Sequence, residues 1–266
     1  MTQPNLEHVS CASCGTDDTE ALHTTDGLIY VRCRSCGLVY VNPRPRPDDV
    51  QSVYEKAKPA AWFKRWTYGF RKMSSFKNLE DRLQRGEVIL HEVERYRSGG
   101  RILDVGCNRG FILAPAAARG WEAHGIEVVP WVTQMVEREF GVKIYNQRLR
   151  EIDPPLRGKY FDAITMIDIL EHLHEPLVDL REIHRILKDD GILLINTVDL
   201  GSAYARITGY EWSMEKPREH LYLFDRNTLS VLVEQAGFRI VHIGPSKGGP
   251  GEFEVHVQKQ MTGESQ

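Results

Sequence analysis

Residues 101–131 read RILDVGCNRGFILAPAAARGWEAHGIEVVPW. The run from Arg101 to Val105 is apolar enough for a buried strand, and a glycine-bearing turn follows from Gly106 to Gly110. A helix to about residue 119 and a second strand ending at Glu127 complete a βαβ unit. In such a unit the glycine turn lets backbone approach a ligand closely. An acid at the end of the second strand can accept hydrogen bonds from both hydroxyls of a ribose. The turn DVGCNRG is not of the dinucleotide type: Asp104 stands two residues before the first glycine, and only Gly106 and Gly110 are glycines.

On these residues the chain resembles the class I S-adenosylmethionine-dependent methyltransferases, whose turn carries D/E-x-G-x-G-x-G. Asp104, Gly106 and Gly110 match, while Asn108 replaces the central glycine. Asn tolerates left-handed backbone better than most residues, so the turn keeps its form. The resemblance implies that the loop passes beneath the methionine part of S-adenosylmethionine and that Glu127 binds its ribose. Cys107 reads as a small packing residue in that loop. The likeness continues through YFDAITMIDILEHLHEP (160–176), DGILLINTVD (190–199), TLSVLVEQAGFRIVHIG (228–244) and EFEVHVQ (252–258). It implies an α/β, Rossmann-like fold over 86–259: a seven-stranded, mostly parallel sheet with helices on both faces, its last strand antiparallel between its neighbours. Open α/β sheets bind ligands beyond the carboxyl ends of their strands, so Asp168, ending the fourth strand, faces the cofactor crevice. Glu171 and His172 suit helix capping and packing as well as ligand contact. The predicted cofactor-binding residues are Asp104, Gly106, Cys107, Asn108, Gly110, Glu127 and Asp168.

At the front of the chain, CASCG and CRSCG place Cys11, Cys14, Cys33 and Cys36 in two knuckles separated by eighteen residues. The polar start MTQPNLEHVS and the lack of any long apolar run lead to an expected cytoplasmic location with no membrane segment. In a reducing compartment such pairs hold metal rather than disulfides, and two Cys-x-x-Cys loops suit one tetrahedral, structural Zn2+. Gly15 and Gly37 supply the sharp turns, and TDGLIYVRC reads as a turn and a strand of a zinc ribbon. The domain organisation expected is a ribbon at 1–45, a helical linker and active-site cover at 46–98, the S-adenosylmethionine-binding domain at 99–260 and a disordered tail at 261–266. The proline-rich NPRPRP marks the first boundary, as an exit that continues neither strand nor helix. A helix is expected over residues 81–97.

Function beyond the cofactor is carried by two stretches. Residues 56–77 hold seven basic and no acidic side chains, interleaved with Trp62, Phe63, Trp66, Tyr68, Phe70 and Phe76. Such a stretch contacts nucleic acid, closes over a phosphorylated small molecule, or packs as an amphipathic helix with a solvated basic face. Residues 197–224 form a long connection on the crevice side of the sheet, and long connections in compact domains often carry function. Read as extended, EHLYLF puts His220, Tyr222 and Phe224 on one side. With the ribbon, this segment resembles small-molecule methyltransferases of sugar and secondary-metabolite pathways. These include sugar C-methyltransferases that pair a zinc ribbon with a Glu-His motif at this place. In that resemblance His220 matches a catalytic base, with Tyr222 orienting the imidazole or the substrate, and the acceptor is a small polar metabolite methylated on oxygen or activated carbon. An RNA methyltransferase using the ribbon and basic stretch is the alternative, set against a net charge of −3 and a pI of about 6.4. A non-catalytic scaffold of the same fold is the third reading. Nothing in the composition speaks to oligomeric state.

Overall fold

The computed structural model describes residues 5–47, 77–152, 158–209, 216–247 and 251–260. Most of the basic aromatic stretch, the 153–157 and 210–215 segments and the 261–266 tail lie outside the described residues.

The front module is built from β1 (Leu6–Glu7), β2 (Thr19–Thr25), β3 (Leu28–Cys33), β4 (Val39–Val41) and β5 (Arg44–Pro45). Strands β2, β3 and β4 form an antiparallel meander, and β1 pairs with β5. NPRPRP therefore does contribute a strand, contrary to the sequence expectation. The pairing is only two residues long and lies at an edge, where a missing proline N–H is tolerated.

The main sheet follows. Helix α1 (Lys77–Glu94) precedes β6 (Arg101–Val105), and α2 (Leu113–Ala118) links it to β7 (Glu122–Ile126). Helix α1 begins and ends earlier than the periodicity suggested, with Arg95 and Tyr96 in the turn that closes it. Next come α3 (Pro130–Phe140), β8 (Lys143–Tyr145), β9 (Phe161–Ile167), α4 (Pro176–Ile186) and β10 (Leu187–Val198). Helix α5 (Ala203–Thr208), β11 (Tyr222–Leu223), α6 (Arg226–Gln235), β12 (Phe238–Pro245) and β13 (Glu252–Lys259) complete the order. The seven-stranded sheet runs β12-β13-β10-β9-β6-β7-β8. Strand β13 is antiparallel to both neighbours, and the pairs among β6 to β10 are parallel. Its central strands read ILLIN and AITM because a strand buried on both faces has no polar side to alternate with.

Strand β11 does not join that sheet. It pairs with β4, Tyr222 opposite Tyr40 and Leu223 opposite Val39, so the ribbon meander gains a fourth strand from the long connection. Val41 N–H donates to the Leu221 carbonyl at 2.9 Å and extends the pairing. The ribbon shares its core with the main domain. Val31, Cys33, Leu38 and Tyr40 pack in one cluster with Leu221, Tyr222, Leu170 and Leu229 of the main domain. A module this small has too little apolar surface to close on itself and borrows the surface of its neighbour.

Candidate active site

At the carboxyl end of β6 the chain turns through Gly106 at φ 73°, Asn108 at φ 45° and Gly110 at φ 72°. Asn108 adopts the left-handed geometry that the sequence asked of it. A Cβ on Gly106 would lie 2.8 Å from Ile169 Cδ1, so a side chain there would displace its neighbour. The turn is held by Gly106 and Cys107 N–H groups donating to the Ile126 carbonyl, both at 2.9 Å. Cys107 is buried, its thiol pushed up by burial, and fills the space over Gly125.

Asp104, under the turn, is 4% exposed and accepts from Thr165 Oγ1 at 2.7 Å. Burial pushes its carboxyl up to about 7. Glu127, just past β7, accepts from Asn108 N–H at 3.1 Å and Val129 N–H at 2.9 Å, and burial raises it too. Those two bonds leave lone pairs free for further donors.

A cavity of about 770 Å³ opens over this turn, lined by Asp104, Gly106, Cys107, Asn108, Asp168 and Asn196 on the sheet side. Helix α1 forms the opposite wall through Arg82, Arg85 and Ile89. The volume lies within the usual ~300–1,000 Å³ range for ligand clefts. Helix α1 comes this close because it carries Gly86: a Cβ there would lie 2.0 Å from the Phe111 carbonyl oxygen. Arg85 then reaches Asp168 with two bonds, 3.0 and 3.3 Å, and Glu252 at 3.0 Å. Asp168 itself has φ 53°, uncommon for a residue with a side chain. No sequence motif marks Arg85; the glycine inside the helix is the signal for that close wall.

Behind Asp168 lies a second polar group. Glu171 is 1% exposed and accepts from Thr197 Oγ1 at 2.8 Å. Burial first, then the Asp168 charge, pushes it up to about 8. His172 Nδ1 donates to the Glu219 carbonyl at 2.8 Å, and burial lowers the imidazole pKa. The His220 ring meets His172 edge-on at 4.7 Å, and acidic or imidazole atoms of Glu171, His172 and His220 lie within 4.8 Å of one another. The backbone of His220 is pinned on both sides: its N–H donates to the Lys216 carbonyl at 2.7 Å, and its carbonyl accepts from Tyr30 of the ribbon at 2.9 Å. His220 does not line the cavity over the turn; it is 6% exposed and packs against His172.

Tyr222 goes elsewhere. Its hydroxyl accepts from Arg44 at 3.1 Å and donates to the His174 carbonyl at 3.1 Å, and its ring stacks on Tyr40 at 6.2 Å. Burial pushes the phenol up to about 12. The role read for it, orienting imidazole or substrate, is replaced by joining ribbon to main domain, because the strand partner that fixes its direction is β4.

The four ribbon cysteines converge. Cys11 and Cys36 Sγ are 3.4 Å apart, as are Cys14 and Cys33, and all four lie within 4.8 Å. Zn–S bonds of about 2.3 Å give a tetrahedral edge near 3.8 Å, so the set fits one zinc. The two knuckles are equivalent: Gly15 (φ 74°) donates to the Cys11 carbonyl and Gly37 (φ 80°) to that of Cys33.

Residues 60–243 match the family model described as a methyltransferase domain, more than half of the chain. The chain belongs to this methyltransferase family. A ubiquinone biosynthesis O-methyltransferase of Pseudomonas syringae pv. tomato is 31% identical over 149 residues, 54% of this chain and 62% of that protein. The chain spans about half the length of the curated relatives it matches. Among solved structures, the 1,6-didemethyltoxoflavin-N1-methyltransferase of Burkholderia thailandensis, crystallised with S-adenosylhomocysteine, has a TM-score of 0.57 at 16% identity, covering 91% of this chain and all of that one. A SAM-dependent methyltransferase from Archaeoglobus fulgidus has a TM-score of 0.53 at 21% identity, covering 65% and 94%. These structures share the methyltransferase fold with this chain. No described helix is long and apolar enough to cross a membrane.

For a methyltransferase domain, the fit of S-adenosylmethionine rests on the left-handed turn whose Gly106 and Asn108 line the cleft, and on Glu127, bonded to Asn108 N–H with acceptor capacity left. The buried Glu171 also sets a pH dependence. Its folded pKa lies above its unfolded one, so its contribution to stability is present below about 4.5 and is lost as pH rises through about 8. Linkage of about 1.4 kcal/mol per pH unit makes that loss on the order of a few kcal/mol. Glu171→Gln is expected to raise the melting temperature at pH 9 and leave it nearly unchanged at pH 4; parallel melting curves at both pH values would contradict this.

Proposed function

We propose that the chain transfers a methyl group from S-adenosylmethionine to an oxygen, or an activated carbon, of a small polar metabolite such as a sugar or secondary-metabolite intermediate. The observation that carries the reading is the left-handed turn at Gly106–Gly110 with Glu127 beside it, in a chain of the methyltransferase family. The names of the curated relatives, O-methyltransferases, favour oxygen as the acceptor atom.

S-adenosylmethionine supplies an electrophilic methyl on a sulfonium that is already a good leaving group. Asp104 and Gly106 to Gly110 would hold its amino-acid part and Glu127 its ribose. What remains for the protein is to align the acceptor and remove its proton. His220 is the base in this reading, with Glu171 and His172 against it and its backbone anchored at both ends. The four thiolates of Cys11, Cys14, Cys33 and Cys36 would hold a structural zinc that keeps β4 in place to receive β11.

Cofactor binding is tested by calorimetry. A carboxylate receiving hydroxyl donors contributes about 1.5–3 kcal/mol, so Glu127→Ala is expected to weaken S-adenosylmethionine at least about tenfold. Unchanged affinity would remove Glu127 from the site.

A further inference from the structure

We propose that His242, Glu254 and His256 form a second metal site, for a divalent first-row transition ion of the zinc class, at the β12–β13 edge of the cleft. His242 on β12 pairs directly with His256 on β13, after a register shift between Ile240 and His242. Gly244, opposite Glu254, is what lets the two strands share a ligand set. A Cβ at 244 would lie 2.9 Å from His242 Nε2, so the imidazole occupies the space that a side chain there would fill. His242 Nε2 and His256 Nε2 then lie 3.7 and 3.5 Å from the same oxygen, Glu254 Oε1, with all three ligand atoms within 4.8 Å of one another.

Those separations are too long for hydrogen bonds, which run at about 2.7–3.2 Å. They are close to the edge of a tetrahedron around an ion with bonds of about 2.0–2.1 Å, which is near 3.4 Å. The second observation is His256 itself. It is 0% exposed, and its Nε2 finds no hydrogen-bond partner among the described residues. An unpaired buried polar atom is costly, and an ion accepting its lone pair removes the cost. The other ring nitrogen is already used: His256 Nδ1 is 3.1 Å from the Tyr96 hydroxyl, with the two rings edge-on at 5.5 Å. With Nδ1–H donating to Tyr96, Nε2 is left as the ligating nitrogen, the arrangement of a second-shell partner that fixes a metal-binding tautomer.

Three protein ligands leave a tetrahedral ion one open position. His242 is 39% exposed, which provides a path in, and Glu254 lines the cleft. The nearest charge is Arg95, which interacts with Glu254 and is bonded to Glu92, itself paired with Lys247. Imidazole and carboxylate together suit zinc and its neighbours better than magnesium, which prefers an all-oxygen shell.

The test uses the full chain with its ribbon cysteines intact, titrated with Zn2+ and analysed for bound metal per chain. Wild type is expected to hold one equivalent more than His242→Ala and more than Glu254→Gln. Comparing the variants separates this site from the ribbon, whose cysteines all three proteins share. Tyr96→Phe should retain the site and weaken it about 10–100-fold. Mg2+ at equal concentration should not compete. Equal metal content in wild type and both variants, or competition by Mg2+, would overturn the proposal. The half-exposed position of His242 keeps the variant foldable, and its metal-free melting curve verifies this.

Discussion

Replacing Cys33 by Ser is expected to release the zinc proposed for the ribbon and to abolish most methyl transfer while leaving S-adenosylmethionine affinity within a few-fold of wild type. Cys33 ends β3, is 0% exposed and is one of four thiols within 4.8 Å. Structural zinc sites of this kind contribute on the order of 10 kcal/mol to folding, far more than a short meander can replace. With the ion lost, β4 loses the frame that holds it against β11. Tyr30 no longer anchors the His220 carbonyl, and Val41 no longer anchors Leu221. His220, the proposed base, is then unplaced, which costs about as much as removing it, roughly a hundredfold to ten-thousandfold in rate. Asp104, Gly106 and Glu127 are positioned by β6 and β7 in the other sheet and are spared. Metal analysis, calorimetry and turnover on one preparation separate these effects. A metal-free protein with full turnover would dismiss the ribbon as an organiser of the site.

His220→Ala is expected to lower kcat by a similar hundredfold to ten-thousandfold with cofactor affinity nearly unchanged. A neutral hydroxyl is a poor nucleophile, and histidine suits its deprotonation because its ordinary pKa, about 6.5, lies close to neutrality. In the fold the His220 imidazole meets His172 and Glu171, whose carboxyl is pushed up to about 8 by burial and therefore carries a proton at neutral pH. Around His220 the cluster thus holds a neutral acid and a depressed imidazole. Its backbone is fixed by Lys216 and Tyr30, so truncating the ring leaves the loop in place. Single-turnover kinetics decide: near-normal methyl transfer would reduce His220 to packing, and lost cofactor binding would mean that the substitution had disturbed the fold.

The glycine turn was legible because its signals are local. The turn from Asp104 to Gly110 needs left-handed backbone at fixed offsets, and glycine or asparagine stands at each such position. The order of the seven strands came from the resemblance, and the antiparallel β13 sits where it placed it. The acceptor side depended on partners far away in the chain. EHLYLF could be read as extended, yet nothing within it says that Tyr40, some 180 residues earlier, is its neighbour. The direction of Tyr222 follows from that pairing alone, which is why its hydroxyl reaches Arg44 rather than His220. Arg44 illustrates the same point: within NPRPRP it looked like boundary composition, and in the fold it is 7% exposed, bonded to Glu7, Tyr222 and His174. Arg85 had no motif at all, since an arginine on a polar helix is ordinary until Asp168 and Glu252 are seen opposite it.

The most direct measurement is to incubate the protein with methyl-labelled S-adenosylmethionine and separated fractions of small metabolites and RNA, then follow the label. Label is expected in the small polar metabolite fraction, carried on oxygen or activated carbon and reduced at least about a hundredfold in His220→Ala. Label in RNA, or in no fraction from protein that binds the cofactor, would contradict it.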